Sequence, residues 1–335
     1  MSTELSHLPA FAKRGVNLAS AGLGAKGVSC TDEFFAPLER MLQDAPAIFI
    51  PDKFDDHGKW MDGWETRRRR DGGYDHAIIR LAVPGQIFGF DVDTAHFTGN
   101  YAPAVRIEGL LSKDDPLSED AGWVEVLPAS QLSASAHHFL EAGAEGTFSH
   151  LKISIFPDGG VARLRVYGKP QLDTSSVDGE IDLASALNGG HIVAFSDAHY
   201  GAYHRLLAPG RGENMGDGWE TRRLREPGHD WIIVALGSRG RVARAVVDTA
   251  FFKGNFPDRC SLQGADLSAF SGDLEDAVVT SSMFWQSMLA EQKLTADAVH
   301  EFADEVTDIG PITHVRFNIF PDGGVSRLRL FGKLA

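Results

Sequence analysis

Glu65 stands among four arginines in the run Asp62-Gly-Trp-Glu-Thr-Arg-Arg68, which continues into Arg69 and Arg70. Planar guanidinium forks at Arg67, Arg68 and Arg70 are suited to grip a carboxylate or a ureido oxygen in bidentate fashion. Glu65 can then hydrogen-bond or move a proton, and Trp64 is counted with the binding residues. The whole run returns letter for letter as Asp217 to Arg223, which supplies Trp219, Glu220, Arg222, Arg223 and Arg225, while Leu224 replaces Arg69. Arg69 is therefore the dispensable arginine. If the run is extended, Glu65, Arg67 and Arg69 share one face, with Thr66, Arg68 and Arg70 on the other. The competing reading is structural: Glu65 pairs with Arg67, and Arg68 with a carboxylate elsewhere.

A second constellation is Asp93-Thr-Ala-His96-Phe-x-Gly-Asn100, answered by Asp248-Thr-Ala-Phe251-Phe-x-Gly-Asn255. His96 is a candidate general acid or base, and Glu65, Asp93, Glu220 and Asp248 are the candidate catalytic carboxylates. The second copy replaces the histidine with phenylalanine, so it is silent unless His199 or His204 takes over. A satisfied loop histidine is the plain alternative for His96, and Gly99-Asn100 and Gly254-Asn255 read equally well as turns needing positive φ. Asn100 and Asn255 are also candidates for substrate binding. Asp32 and Asp197 are suited to cap a turn, bind a cation or face the site. No His-x-His, His-Glu-x-x-His or Cys-x-x-Cys spacing occurs, so no transition-metal ligand set is expected. Neither a Gly-x-Ser-x-Gly elbow nor a Walker loop is present.

The elements that carry these residues are themselves duplicated. Ile155-Phe-Pro-Asp-Gly-Gly-Val161 returns as Ile319 to Val325, each followed by Arg-Leu-Arg and closing at Lys169 and Lys333. Asn17-Leu-Ala-Ser20 answers Asp182-Leu-Ala-Ser185, Trp123 answers Trp285, and His150 answers His314. Two tandem domains are expected, residues 1–177 and 178–335, with the polar stretch Gln171 to Glu180 as linker. Each is long enough to bury its own core, and 43% apolar content supports that.

His76 to Val83 and Gln86 to Asp93 read as two strands separated by Pro84-Gly85; Trp231 to Leu236 and Arg241 to Asp248 read the same way. The Pro157-Asp-Gly-Gly160 turn predicts a hairpin between His150–Phe156 and Val161–Tyr167 that closes each domain. Helices are expected only at Phe35 to Leu42 and, opened by a Thr cap, at Thr295 to Phe302. The fold class is all-β, a sandwich or barrel. A net charge of −14 disfavours nucleic acid and anionic membranes as partners. No apolar run reaches the length of a membrane span, and the N-terminus lacks the features of a secretory signal. Cys30 and Cys260 hold inequivalent places in the two copies, which points to a reducing, cytoplasmic location.

With its paired Asp-Gly-Trp-Glu-Thr-Arg-Arg and Ile-Phe-Pro-Asp-Gly-Gly-Val blocks, the chain resembles the allantoicase family over essentially all residues after 13. The resemblance implies two jelly-roll β-sandwiches of the galactose-binding or discoidin-like type. It also implies hydrolysis of allantoate to ureidoglycolate and urea, within allantoin and purine breakdown. No covalent nucleophile and no cofactor is needed for that reaction, with dependence on a divalent cation left open, and association into a homo-oligomer is expected. The alternative from another class is a non-catalytic tandem sandwich that binds carbohydrate or another small ligand.

Overall fold

A computed structural model describes residues 7–115, 122–172, 179–270 and 274–335. The chain forms two compact units, one of Pro9–Gln171 and one containing Leu172–Ala335. The boundary expected at Asp178 lies outside the described residues.

In the first unit the strands are β1 (Val16–Asn17), β2 (Lys26–Cys30), β3 (Phe54–Asp55), β4 (Gly58–Lys59), β5 (Trp64–Glu65), β6 (Asp75–Asp93), β7 (Ala104–Leu110), β8 (Val124–Gln131), β9 (His137–Glu141), β10 (Thr147–Phe156), β11 (Gly160–Val161) and β12 (Arg163–Pro170). The long strand β6 belongs to both layers of a sandwich. Its first half pairs with β2 and β10, and β10 continues to β7 and β8; its second half pairs with β9 and β12, and β12 continues to β1. Alternate residues of both layers meet in one core that includes Ile79, Phe90, Val92, Ile107, Ile153 and Val166. Each such side chain contributes about 1.5–3 kcal/mol through burial.

The second unit repeats this plan around the equally long β17 (Asp230–Asp248). Its other strands run β13 (Ile181–Asp182), β14 (His191–Phe195), β15 (Tyr200–Gly201) and β16 (Trp219–Glu220), then β18 (Arg259–Ala265), β19 (Gln286–Lys293), β20 (Val299–Phe302), β21 (Ile312–Phe320), β22 (Gly324–Val325) and β23 (Arg327–Leu334). The units are nearly all-β.

The two copied blocks interlock. Trp64 and Glu65 of β5 pair with Val161 and Gly160 of β11. Thr66 and Gly159 exchange hydrogen bonds of 3.1 Å through Thr66 N–H to Gly159 O and Gly159 N–H to Thr66 Oγ1. Arg69 N–H donates to Asp158 Oδ2 at 2.7 Å. Arg163 donates to Asp62 Oδ2 at 2.7 Å with 2% of its surface exposed, so its charge is buried only because the pair is made. Trp219–Glu220, Gly323–Val325 and the Arg327–Asp217 bond at 2.8 Å repeat the arrangement. A Cβ at Gly160 would lie 2.1 Å from the Phe97 ring, and one at Gly324 would lie 2.0 Å from Phe252. Only glycine fits there.

Four expectations about the elements are corrected. The strands expected on either side of Pro84-Gly85 are one strand, because Pro84 is exposed and falls where the β10 register shifts, between the paired positions Arg80 and Gly85. No ladder N–H is demanded at that place. The expected closing hairpin is also absent: β10 and β12 each pair with β6 instead of with each other, and Pro157 to Gly160 carries the chain between layers. Thr295 to Phe302 is a turn followed by β20, with Thr295 N–H donating to His300 Nε2 at 2.9 Å. The Thr closes a loop around a histidine, as Ser133 does with His138. Phe35 to Leu42 contracts to a 3₁₀ turn at Leu38–Leu42, opened by Pro37 and by Glu33, which accepts from Leu38 N–H at 2.9 Å. A helix that was not expected, Leu274–Ser282, lies in the second unit.

Candidate active site

Glu65 is fixed by the interlocked blocks at the end of β5, with 8% of its surface exposed. One carboxylate oxygen accepts from Asn100 Nδ2 at 2.6 Å. Burial pushes the Glu65 carboxyl above the ordinary glutamate range, and the Asn100 bond offsets this only in part. Asn100 is held by its own carbonyl, which accepts from Gly160 N–H at 2.7 Å. Its position follows from the same glycine that Phe97 demands.

Glu65, Asn100 and His96 line one cavity of about 590 Å³. His96 reaches it from the loop after β6, where Asp93 Oδ1 accepts from Ala95 N–H at 2.7 Å and turns the chain. The left-handed residue of this loop is His96 itself, at φ 69°, and not Gly99 or Asn100 as expected. His96 Nε2 lies 3.1 Å from the carbonyl oxygen of Ala47. A carbonyl only accepts, so Nε2 carries the hydrogen and a neutral ring leaves Nδ1 as an acceptor. Thr98 and Ser135 add hydroxyls to the wall, and Phe35, Phe49 and Met61 add apolar surface.

Much of that wall comes from a segment that the sequence reading passed over. Thirty positions separate Asp32 from Asp62, but only twenty separate Asp197 from Asp217, so the first copy carries ten additional residues. They form the β3–β4 hairpin and its approach, and they supply Phe49, His57, Gly58 and Lys59 to the cavity. The hairpin approach is stapled down: Ile48 N–H donates to Asp62 Oδ2 at 2.9 Å, Arg163 Nε to Ala45 O at 2.8 Å, and Arg165 to the carbonyls of Gln43 and Asp44. The length difference between the copies was the signal that could have revealed it.

Other expected site residues lie elsewhere. Arg67 binds Asp32 through Nε and Nη2 at 2.9 and 2.6 Å and lines a neighbouring cleft with it, so neither the Glu65–Arg67 pair nor a free Arg67 fork is present. Burial tends to raise the Asp32 carboxyl, yet the Arg67 hydrogen bonds prevail and its pKa ends below the usual range. Arg68 and Arg70 are exposed and do not line the cavity. Trp64 and Trp219 are fully buried, their indole N–H groups donating to the carbonyls of Asp32 and Asp197, so they serve packing. Asp93 is buried as a turn former outside the cavity lining, and Asp248 does the same for Ala250 N–H at 2.8 Å. Arg69, expected to be dispensable, bonds Asp71, Asp75 and the Tyr74 carbonyl.

The second unit retains Glu220 and Asn255 as a hydrogen-bonded pair, and burial again raises the glutamate. Phe251 takes φ 70°, so the loop has the same shape and only the side chain differs. Arg222, Arg223 and Arg225 are exposed, with Arg222 paired to Asp197 at 3.1 Å. His199 and His204 are exposed as well. Among the described residues, no three His, Cys, Asp or Glu side chains gather in a way that could hold a metal ion, and no helix is long and apolar enough to cross a membrane.

The allantoicase repeat profile matches this chain twice, over residues 16–171 and 181–335. The probable allantoicase of Rhizobium meliloti is 59% identical over 330 residues, which cover 98% of this chain and 96% of the relative. The probable allantoicase 2 of Burkholderia pseudomallei is 54% identical, over 98% of this chain and 97% of its own. The crystal structure of allantoicase from Saccharomyces cerevisiae superposes with a TM-score of 0.83 at 34% identity and covers 99% of each chain. With both repeats matched and the identity sustained over nearly the full length, the chain belongs to the allantoicase family.

Proposed function

We propose that this protein hydrolyses allantoate to ureidoglycolate and urea, and that the cavity of the first repeat is where it does so. The observation that carries the reading is the pairing of a buried glutamate with a histidine of fixed tautomer in one cavity. A carboxyl raised by burial beside an imidazole with a free acceptor nitrogen supplies an acid and a base to one substrate. Glu65, whose carboxyl burial pushes above the ordinary glutamate range, gives its proton to the leaving ureido nitrogen as the bond from that nitrogen to the central carbon breaks. The electron pair of the bond leaves with urea, and the remaining ureido nitrogen shares its lone pair with the central carbon. Water adds its oxygen to that carbon and yields a proton to His96 Nδ1. Exchange with solvent after product release returns the proton to Glu65, and the balance closes without a covalent intermediate. Asn100, Thr98 and Ser135 hold the ureido arms by hydrogen bonds.

A cytoplasmic location belongs to the same proposal, supported by the free thiols of Cys30 and Cys260. It also includes self-association, which the particle mass in solution tests. The activity is tested by measuring urea released from allantoate. Folded protein that leaves allantoate intact, with and without added divalent cation, overturns the reading; binding of a sugar in its place would favour the non-catalytic alternative.

A further inference from the structure

Allantoate keeps its carboxylate throughout the reaction, so something in the cavity must receive a permanent negative charge. Arginine was the expected partner, but Arg67 is committed to Asp32 and Arg68 and Arg70 are exposed outside the wall. Of the eleven residues that line the cavity, Lys59 is the single lysine or arginine. It closes the β3–β4 hairpin, inside the ten residues that the second copy lacks.

The ammonium is already placed. Lys59 Nζ donates to the carbonyls of Ile50, at 3.0 Å, and Pro51, and it sits 4.8 Å and 4.9 Å from the ring centres of Phe49 and Phe54. An ammonium has three N–H donors, and two carbonyls take two of them. The third remains for a ligand, and the tether removes much of the rotamer freedom that a lysine otherwise loses on binding.

We infer that Lys59 recognises the substrate carboxylate and makes the cavity selective for ureido acids over neutral ureides. The inference rests on the proposed activity, with the site placed in the first repeat. It assigns to the extra hairpin a specificity role that Glu65 and His96 cannot fill, since neither is a fixed cation.

The test is a binding titration with ureidoacetate, which has one ureido arm and the carboxylate, against ureidoacetamide, its neutral counterpart. Neither measurement depends on turnover. Wild-type protein should prefer the acid, and Lys59→Met should weaken the acid by roughly 10- to 100-fold, the value of a charge-assisted hydrogen bond, while sparing the amide. Lys59→Arg, which keeps the charge, should restore part of the preference. Equal weakening of both ligands would make Lys59 a clasp for the hairpin and overturn the inference. An unchanged affinity for ureidoacetate in Lys59→Met overturns it as well, as does wild-type protein with no preference for the acid. Urea release from allantoate is read separately, so failure of the activity and failure of this role are distinguished.

Discussion

The two repeats agree where packing is demanding and differ around the cavity of the first. Both bury an arginine–aspartate pair, Arg163 with Asp62 and Arg327 with Asp217, and both hold a glutamate to an asparagine. Only the first adds a histidine on the adjacent loop and a hairpin that walls the cavity. Glu65 is accordingly buried, whereas Glu220 is partly exposed. Letter-for-letter identity between copies covers the scaffold and the glutamate alike. The copies differ in the histidine and in the hairpin beside that glutamate.

The sharpest way to break this asymmetry is at the two glutamates. Glu65→Gln should lower kcat by about 10²- to 10⁴-fold, the range of general acid–base catalysis. Glu220→Gln should stay within about twofold, in line with substitutions away from a working site. Equal losses in steady-state urea release would mean that both repeats catalyse. The same variants carry a pH signature. Burial raises the folded pKa of each glutamate, so the stability it contributes is full below the ordinary glutamate range and is lost as pH rises through the raised value. Glutamine has no such loss, so the denaturation midpoint of Glu65→Gln should overtake wild type as pH rises through that window. The gain should be smaller for Glu220→Gln, because Glu220 is more exposed.

Scaffold substitutions should separate the repeats by what remains around the aspartate. Arg163→Met leaves the Asp62 carboxylate without its arginine and should cost about 3–5 kcal/mol in denaturant unfolding. Arg327→Met should cost less, because Asp217 keeps Arg205 at 2.5 Å. Equal costs would show that the Arg205 bond does not compensate.

His96→Phe makes the first loop imitate the second. It should reduce kcat by roughly 10²-fold, at the lower end of the acid–base range, and flatten one limb of the pH–rate profile. The fold should tolerate it, since Phe251 holds the same left-handed φ. Phe251→His should leave turnover unchanged. The smallest effect is expected at the exposed arginines: Arg68→Lys and Arg223→Lys should alter turnover by less than about twofold. A greater loss in either would bring that arginine back into the site.

Much of the candidate site could be read from single residues. Glu65, His96 and Asn100 carry the chemistry in their side chains, and the structure brings them to one cavity. The arginines carry it equally and lie outside: Asp32, which is 35 positions away in the chain, occupies Arg67, and Arg68 and Arg70 are exposed. Trp64 looked like a binding surface but fills the core. Lys59 and Phe49 drew no notice, since an isolated lysine in a loop has no pattern until the fold closes the loop over a glutamate.

The sequence by itself determined the duplication, the all-β class and the identity of the paired blocks, because those follow from local patterning and from letters that repeat. Which strands are neighbours was decided only by tertiary structure: β6 crosses both layers, and β10 and β12 flank it where a hairpin was expected. Long-range pairing depends on which apolar faces can be buried together, and strand periodicity is the same for either partner. The same holds for the cavity. Its chemistry is written in residue types, but its walls depend on long-range bonds in which buried Arg163 and half-buried Arg165 hold the approach to the extra hairpin.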